Sequence, residues 1–278
     1  MKTILVPVEQ HDLIEPTLET ACHLARRFDS YVEGFWLAPN ISPFLGADAM
    51  GAGMLYDANL KPDEELQSEG QLIFERAMQA HGFPQHSAAS SGPSYGWTKQ
   101  EATGDNFLAA YGRVFDITVL GRPGSKPASP RMSTLEAALF ETGRPVLMAP
   151  PSSARGLGEN ILIAWNASTE TARTVALAMP LLTRAAKVTI LSIEGYGASA
   201  PNADQLQRQL QRHDIGADVI RRDGGQPVGE IILREAGGLD CDLLIKGAYT
   251  QARLRQFIFG GATRHIVSEA SLPVFMAH

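Results

Sequence analysis

The feature that most restricts how this chain can fold is an internal repeat. Three short apolar runs, rich in β-branched residues, occur twice and in the same order. The pairs are TILVPVE and NILIAWN at 3–9 and 160–166, FDITVLG and CDLLIKG at 115–121 and 241–247, and RPVLMAP and LPVFMAH at 144–150 and 272–278. A repeat of this kind predicts two copies of one supersecondary unit.

Helical patterns separate the apolar runs. The second copy predicts strands at 160–165, 187–193, 217–221, 242–246 and 273–277, and helices at 169–183, 202–213, 227–237 and 261–270. Continuous apolar strands are typical of a parallel sheet covered on both faces. Strands that alternate with helices imply right-handed crossovers. We therefore predict an α/β fold of two duplicated, doubly wound, Rossmann-like domains, each built on a parallel five-stranded sheet.

The repeat also predicts the domain boundaries. We expect a first domain at 1–150, a linker rich in Pro, Ser and Gly at 151–159, and a second domain at 160–278. The first domain has an insertion around 38–60, without regular periodicity, which we expect to be a mobile excursion. A fifth strand is an apolar edge, which favours pairing. The two final strands should therefore lie together as an intramolecular pseudo-dimer.

Composition excludes several partners. The net charge is −6, so no attraction to nucleic acid or to an anionic membrane is expected. No apolar run approaches the roughly 20 residues that span a bilayer. With two cysteines and an N-terminus typical of a strand, a reducing cytoplasm is the expected location.

Catalytic motifs are not found. The seven histidines show no metal-ligand spacing, and neither a P-loop nor a G-x-S-x-G elbow occurs. Asp116 and Asp242 begin strands, so they should lie at the opposite sheet edge from a ligand crevice, which forms at the carboxyl ends of strands. We interpret them as solvated or capping groups.

The loop after the fourth strand of the second copy carries a glycine pattern. Gly247 is followed by two residues, Thr250, nine residues, and then Gly260 and Gly261. Within a duplicated sheet, this pattern resembles the universal stress protein family in its tandem two-domain form. Nucleotide-binding members have Gly, two residues, Gly, nine residues, then Gly and Ser or Thr. Thr250 and Gly261 depart from that pattern.

The resemblance covers almost the whole chain and implies ATP or AMP in the second domain. Phosphates would lie against helix-opening amides, which need a close approach without a β-carbon. The nucleoside would lie near the end of the first strand. The expected site residues are Ala164, Trp165, Asn166, Gly247, Thr250, Gly260, Gly261 and Ala262.

Other interpretations of these residues remain open. The glycines can simply let the loop pack tightly against the first strand. Asn166 can cap the following helix together with Ser168, and Trp165 can belong to the core instead of stacking on a base.

The first copy departs further from the family pattern. It reads Gly121 and Gly124 but has Thr134 where the spacing places Gly260, and three loop prolines lack N–H groups. Binding members carry Asp after the first strand, where this copy has Glu9, which is longer and should crowd the crevice. We expect the first copy to be structural.

Two functions follow. The favoured one is a non-catalytic stress-response protein that acts through protein partners, which the sequence does not identify. We expect it to bind a nucleotide in the second domain. A further expectation is that it forms a homodimer. The alternative is a nucleotide-hydrolysing or nucleotidyl-transferring enzyme. Such an enzyme needs a metal-binding carboxylate, whereas the second loop offers only Arg253, Arg255 and Thr250.

Overall fold

A computed structural model describes residues 1–38, 63–88, 90–99, 104–126, 128–154, 156–198, 200–248 and 261–278. Thr250, Gly260 and nearly all of the insertion expected at 38–60 lie outside these residues. The strands are β1 (Thr3–Val8), β2 (Tyr31–Trp36), β3 (Ser94–Thr98), β4 (Ile117–Gly121), β5 (Val146–Ala149), β6 (Asn160–Trp165), β7 (Lys187–Ile193), β8 (Asp218–Arg222), β9 (Leu243–Gly247) and β10 (Val274–Ala277). The helices are α1 (Ile14–Phe28), α2 (Asp63–Ala80), α3 (Asp105–Tyr111), α4 (Met132–Glu141), α5 (Thr169–Leu177), α6 (Met179–Leu182), α7 (Ala203–Gln211), α8 (Val228–Gly238) and α9 (Gly261–Glu269).

The strands form one ten-stranded sheet in the order β3-β2-β1-β4-β5-β10-β9-β6-β7-β8. Each half is parallel and doubly wound, which confirms the predicted α/β class. The halves meet at β5 and β10, which pair antiparallel with Leu147 opposite Phe275. The strand order is therefore the same from either edge, and the expected pairing of the two final strands is present.

Helices cover both faces of the sheet. One apolar cluster lies under α1, α2, α5, α6 and α7, and includes Leu18, Phe74 and Val175. The other lies under α3, α4, α8 and α9, and includes Leu135 and Ile266. The inner strands are buried on both faces and read as continuous apolar runs in the sequence, whereas the edge strand β8 (DVIRR) is largely exposed. No helix among the described residues has the length and apolar character to cross a membrane.

Two aspartates show the duplication at the level of single hydrogen bonds. Asp116 accepts from the backbone N–H groups of Lys2 and Thr3 at the start of β1. Asp242 accepts from the backbone N–H of Asn160 at the start of β6, at 2.9 Å. These contacts confirm the interpretation of both carboxylates as capping groups, because each ties the first strand of its half to the fourth.

The structure departs from the predicted helix at 169–183. That segment is broken at Ala178 into α5 and α6, and Pro180 lies in the first turn of α6. A proline inside a helix removes one backbone hydrogen bond and clashes with the carbonyl four residues earlier. The apolar spacing continues across the break, and so the pattern alone predicts one helix.

Candidate functional site

Each half has a crevice where its strand order reverses. In the first half the reversal lies between β1 and β4, and in the second it lies between β6 and β9. Ligands of open α/β sheets bind at such points, beyond the carboxyl ends of the strands. Glu9 and Asn166 follow β1 and β6, while Gly121 and Gly247 end β4 and β9. The duplication therefore places equivalent residues at two equivalent crevices.

Asn166 is buried and acts on the start of α5. Its Oδ1 atom accepts from the N–H of Ser168 at 3.2 Å and from the hydroxyl of Thr171 at 2.5 Å. Ser168 is the N-cap residue, and its Oγ atom accepts from the N–H of Thr171 at 3.1 Å. The capping interpretation therefore describes what this side chain does in the structure.

The segment after β7 closes over Asn166. The backbone carbonyl of Asn166 accepts from the N–H of Ala198 at 3.1 Å. Burial raises the pKa of Tyr196 to about 12, although the neighbouring Asn166 side chain opposes that shift. Gly197 has a φ of +91°, and a β-carbon there would lie 2.0 Å from the Asn166 carbonyl oxygen. Only glycine permits this close approach.

Trp165 and Ala164 belong to the core. Trp165 is 5% exposed, and its indole N–H donates to the carbonyl of Pro201 at 2.8 Å. Ala164 is buried in the cluster on the other face of the sheet. The Trp165 ring thus has little surface with which to stack on a base, and the core interpretation of this residue fits the structure better.

The glycines of the second half have different surroundings. A β-carbon on Gly247 would lie 2.4 Å from the backbone nitrogen of Thr171, so α5 can approach β9 only because this residue has no side chain. Gly261 is exposed and begins α9, and a β-carbon there would meet no atom of a described residue within 4 Å. Ala262 follows it and is half-buried. The start of α9 therefore faces open space as far as the described residues extend.

Lys246 is a candidate site residue that the sequence patterns did not indicate. It is 2% exposed, on β9 directly before Gly247. Its Nζ atom donates to the Gly247 carbonyl at 2.7 Å and to the Thr263 hydroxyl at 2.8 Å. Burial lowers the pKa of Lys246 to about 8. The sequence feature that could have indicated Lys246 is its place in an apolar strand, where the first half has Leu120.

The crevice of the first half contains a buried carboxylate. Glu9 is 7% exposed and accepts from the backbone N–H of Arg131 at 3.2 Å, from its guanidinium at 3.4 Å, and from the Thr134 hydroxyl. Burial raises the pKa of Glu9, although the hydrogen bond from Thr134 and the charge of Arg131 oppose that shift. The expectation that Glu9 crowds this crevice agrees with these contacts.

The positions at which α4 and α9 begin correct the predicted correspondence between Thr134 and Gly260. Counting from the fourth strand placed Thr134 opposite Gly260, but α4 begins at Met132 and α9 begins at Gly261. Thr134 and Thr263 are each the third residue of their helix, and they correspond. The loop before α4 is shorter, which residue counting along the glycine pattern could not show.

Two cavities of different size lie against the first half. A cavity of about 80 Å³ lies between the end of β1 and α2, with Glu9, His11 and Leu66 in its lining. Burial lowers the pKa of His11 to about 4. A larger open cleft of about 560 Å³ lies at the opposite sheet edge, beside Lys2 and Tyr31, where α/β sheets do not usually bind ligands. Within the described residues, no group of three or more His, Cys, Asp or Glu side chains could hold a metal ion.

The fold is a mirrored, doubly wound sheet with two switch-point crevices, and comparison with known proteins finds a family match for its second half. Residues 159–278 match the model of the universal stress protein family. The match covers the second half of the chain. No curated protein sequence matches the chain.

Solved structures share the fold over the full length. The chain is similar to a universal stress protein from Archaeoglobus fulgidus DSM 4304, with 13% identity, a TM-score of 0.72, and coverage of 99% of this chain and 95% of that one. It is also similar to a functionally unknown protein from Pseudomonas aeruginosa PAO1, with 14% identity, a TM-score of 0.56, and coverage of 100% and 92%. At such identities these likenesses show the fold, including its tandem arrangement.

Proposed function

We propose that this protein is a non-catalytic universal stress protein that binds a nucleotide, ATP or AMP, in its second half only. Its phosphates lie against the start of α9, and its nucleoside lies toward the end of β6. It acts in the cytoplasm, where Cys22 and Cys241 stay reduced, through contacts with other proteins.

The observation that supports this proposal is the difference between the starts of two helices. Backbone N–H groups at a helix start attract anions. At α4 the Glu9 carboxylate already accepts from the Arg131 N–H. At α9 the first residue, Gly261, is exposed, and no described residue comes within 4 Å of its β-carbon position. Among the described residues, the second helix start is therefore open to a phosphate, whereas the first is occupied by Glu9.

Two features of the second half fit the phosphate end of a nucleotide better than its base. Gly261 allows a close approach of phosphate oxygens to the α9 backbone. Trp165, in contrast, is held in the core by its hydrogen bond to Pro201. We therefore propose a site in which phosphate contacts contribute most of the binding free energy.

Mass spectrometry of freshly purified, denatured protein tests whether a nucleotide is bound. We expect ATP or AMP to be released. Calorimetry of the emptied protein with ATP and AMP then measures the affinity. Absence of both a released nucleotide and a titration signal would remove the proposed function.

A pair of glycine variants tests the location. Gly261→Val adds a side chain where the space is open, so the fold should tolerate it while the path of the phosphate is obstructed. Gly216→Val is the matched control, because Gly216 is also exposed with no atom within 4 Å of its β-carbon position. We expect loss of ATP binding in the first variant and parental affinity in the second. Equal affinities would place the nucleotide elsewhere.

A further inference from the structure

In the part of the chain that the structure describes, Lys246 is a buried cation with no anion hydrogen-bonded to it. Its two hydrogen-bond acceptors, the Gly247 carbonyl and the Thr263 hydroxyl, are both uncharged. Burial is the one cause that shifts its pKa, so no carboxylate among the described residues acts on it measurably. A charged amine in such a position costs several kcal/mol unless an opposite charge compensates it.

The sequence that links β9 to α9 carries no negative charge. Residues 249–260, between β9 and α9, contain two arginines and no aspartate or glutamate. The start of α9 adds a partial positive charge of its own. Lys246 reaches this start through the hydroxyl of Thr263 in the first turn of α9. Two positive groups are thus placed together, and an anion between them would stabilise both.

The equivalent position of the first half holds a negatively charged group. Thr134, the counterpart of Thr263, donates to the carboxylate of Glu9. Leu120, the counterpart of Lys246, is apolar and buried. In the first half the chain supplies its own anion to the threonine, and in the second half it supplies a cation to the same position. The missing charge of the second crevice is therefore negative.

We propose that Lys246 is a specificity-determining residue that binds a phosphate group of the ligand, with Thr263 holding the amine toward the start of α9. This inference rests on the proposed function for the identity of the ligand as a nucleotide, and it assigns the recognition of phosphate to one side chain. The amine has three N–H groups and, among the described residues, uses two of them on Gly247 and Thr263, which leaves one to donate to a phosphate oxygen.

Calorimetry at pH 7 with ATP, adenosine and inorganic phosphate tests the assignment. Lys246→Met removes the amine and keeps the length of an unbranched side chain. Lys187→Met is the matched control, because Lys187 is an exposed lysine of the same half. We expect Lys246→Met to weaken ATP binding about tenfold to a hundredfold, as loss of a charge-assisted hydrogen bond would. Affinity for adenosine should be unchanged, and Lys187→Met should bind ATP like the parent.

The outcomes separate this inference from the function on which it rests. Equal ATP affinity in the parent and in Lys246→Met would overturn the role of Lys246 and leave nucleotide binding intact. If the parent binds phosphate but neither ATP nor AMP, and only when Lys246 is present, the nucleotide assignment fails and the anion site stands. If the parent binds none of these ligands, both fail. Thermal unfolding of Lys246→Met confirms that any loss does not come from misfolding.

A second measurement distinguishes direct contact from a structural role. The parent should lose ATP affinity as the pH rises above about 8, since the amine then loses its proton. Lys246→Met should lack that loss. Parallel pH profiles for the two proteins would contradict direct contact between Lys246 and phosphate.

Discussion

The two crevices place a threonine at the same helical position and give it partners of opposite charge. Thr134 of α4 donates to the buried carboxylate of Glu9, whereas Thr263 of α9 accepts from the buried amine of Lys246. Around them the strands, their order and the capping aspartates are alike. The fold has thus been kept in duplicate while the charge of the site has been reversed.

This difference shows how little of the chain decides what each half can bind. The apolar runs that form the sheet occur in both copies, so both halves fold in the same way. The residue after the first strand and one residue on the fourth strand differ between the copies: Glu9 and Leu120 in the first half, Asn166 and Lys246 in the second. A few substitutions can therefore change the charge beside the threonine while the architecture stays intact.

The largest expected effect concerns the cost of burying Lys246. Its pKa is about 8 in the folded protein against 10.5 ordinarily, so the unfolded chain binds more protons between these values. Stability should therefore rise as the pH increases from 8 to 10.5, by about 3 kcal/mol in total. Urea unfolding at several pH values measures this rise.

Lys246→Met should remove that pH dependence and be more stable than the parent at pH 7, by about 1–3 kcal/mol. Lys187→Met should follow the parental curve, because that side chain is exposed. A parent and a Lys246→Met variant with the same pH dependence would mean that the amine is not buried in solution. A residue that lowers stability where an apolar one would fit is typical of a functional position.

The sequence predicted the fold far better than the site. In the second copy every predicted strand is present within a residue or two, because a buried parallel strand has a continuous apolar run that can be read locally. The break between α5 and α6 was missed, since the apolar spacing continues past Pro180.

The site depends on contacts between distant residues. Glu9 and Thr134 are 125 positions apart, and no local pattern connects them. Lys246 escaped notice because a lysine near the end of a strand is usually exposed at the sheet edge. The sequence allows two interpretations each for Asn166 and Trp165, and only their hydrogen bonds in the structure distinguish them.

A second prediction compares the glycines that end the two fourth strands. A β-carbon on Gly247 would meet backbone atoms of Glu170 and Thr171, while one on Gly121 would meet side-chain atoms of Pro130, Thr17 and His11. Side chains can shift more easily than the start of a helix. We expect Gly247→Ala to lower the free energy of unfolding by about 3 kcal/mol and Gly121→Ala by about 1 kcal/mol.

Urea unfolding of both variants measures this difference. A larger loss in Gly121→Ala would show that the first crevice is the more rigid of the two, against the contacts described here. Circular dichroism at 222 nm, recorded before unfolding, verifies that both variants keep their helices.

The third prediction concerns the anion that the first half provides for itself. Glu9→Ala leaves the Arg131 N–H and the Thr134 hydroxyl without their acceptor, and should cost about 2 kcal/mol. Glu9→Gln keeps an acceptor oxygen and should cost less than about 1 kcal/mol. Urea unfolding at pH 7 distinguishes the two variants.

The pKa of Glu9 determines the direction in which its contribution to stability changes with pH. The folded pKa of Glu9 is raised, so the folded protein binds the proton more tightly, and the contribution of Glu9 to stability falls as the pH rises through the window above 4.5. Glu9→Gln should lack that fall. A stability of Glu9→Ala equal to that of the parent would mean that Glu9 does not occupy the start of α4.

The smallest expected effect tests whether Asn166 and Ser168 share the start of α5. Ser168→Ala removes the side-chain acceptor for the Thr171 N–H but leaves the Asn166 Oδ1 bonds in place, and should cost about 1 kcal/mol. Ser168→Asp retains an acceptor and should match the parent in urea unfolding. If Asn166 performs the capping unaided, Ser168→Ala will cost nothing, and Asn166→Ala will be the more damaging change.

The first half supplies a reference for this measurement, since α1 begins after Leu13 without any side-chain cap. A helix start at a ligand crevice can thus be stabilised by its own side chains, and Asn166, engaged in this way, would have less capacity to bind a nucleoside than Lys246 has to bind a phosphate.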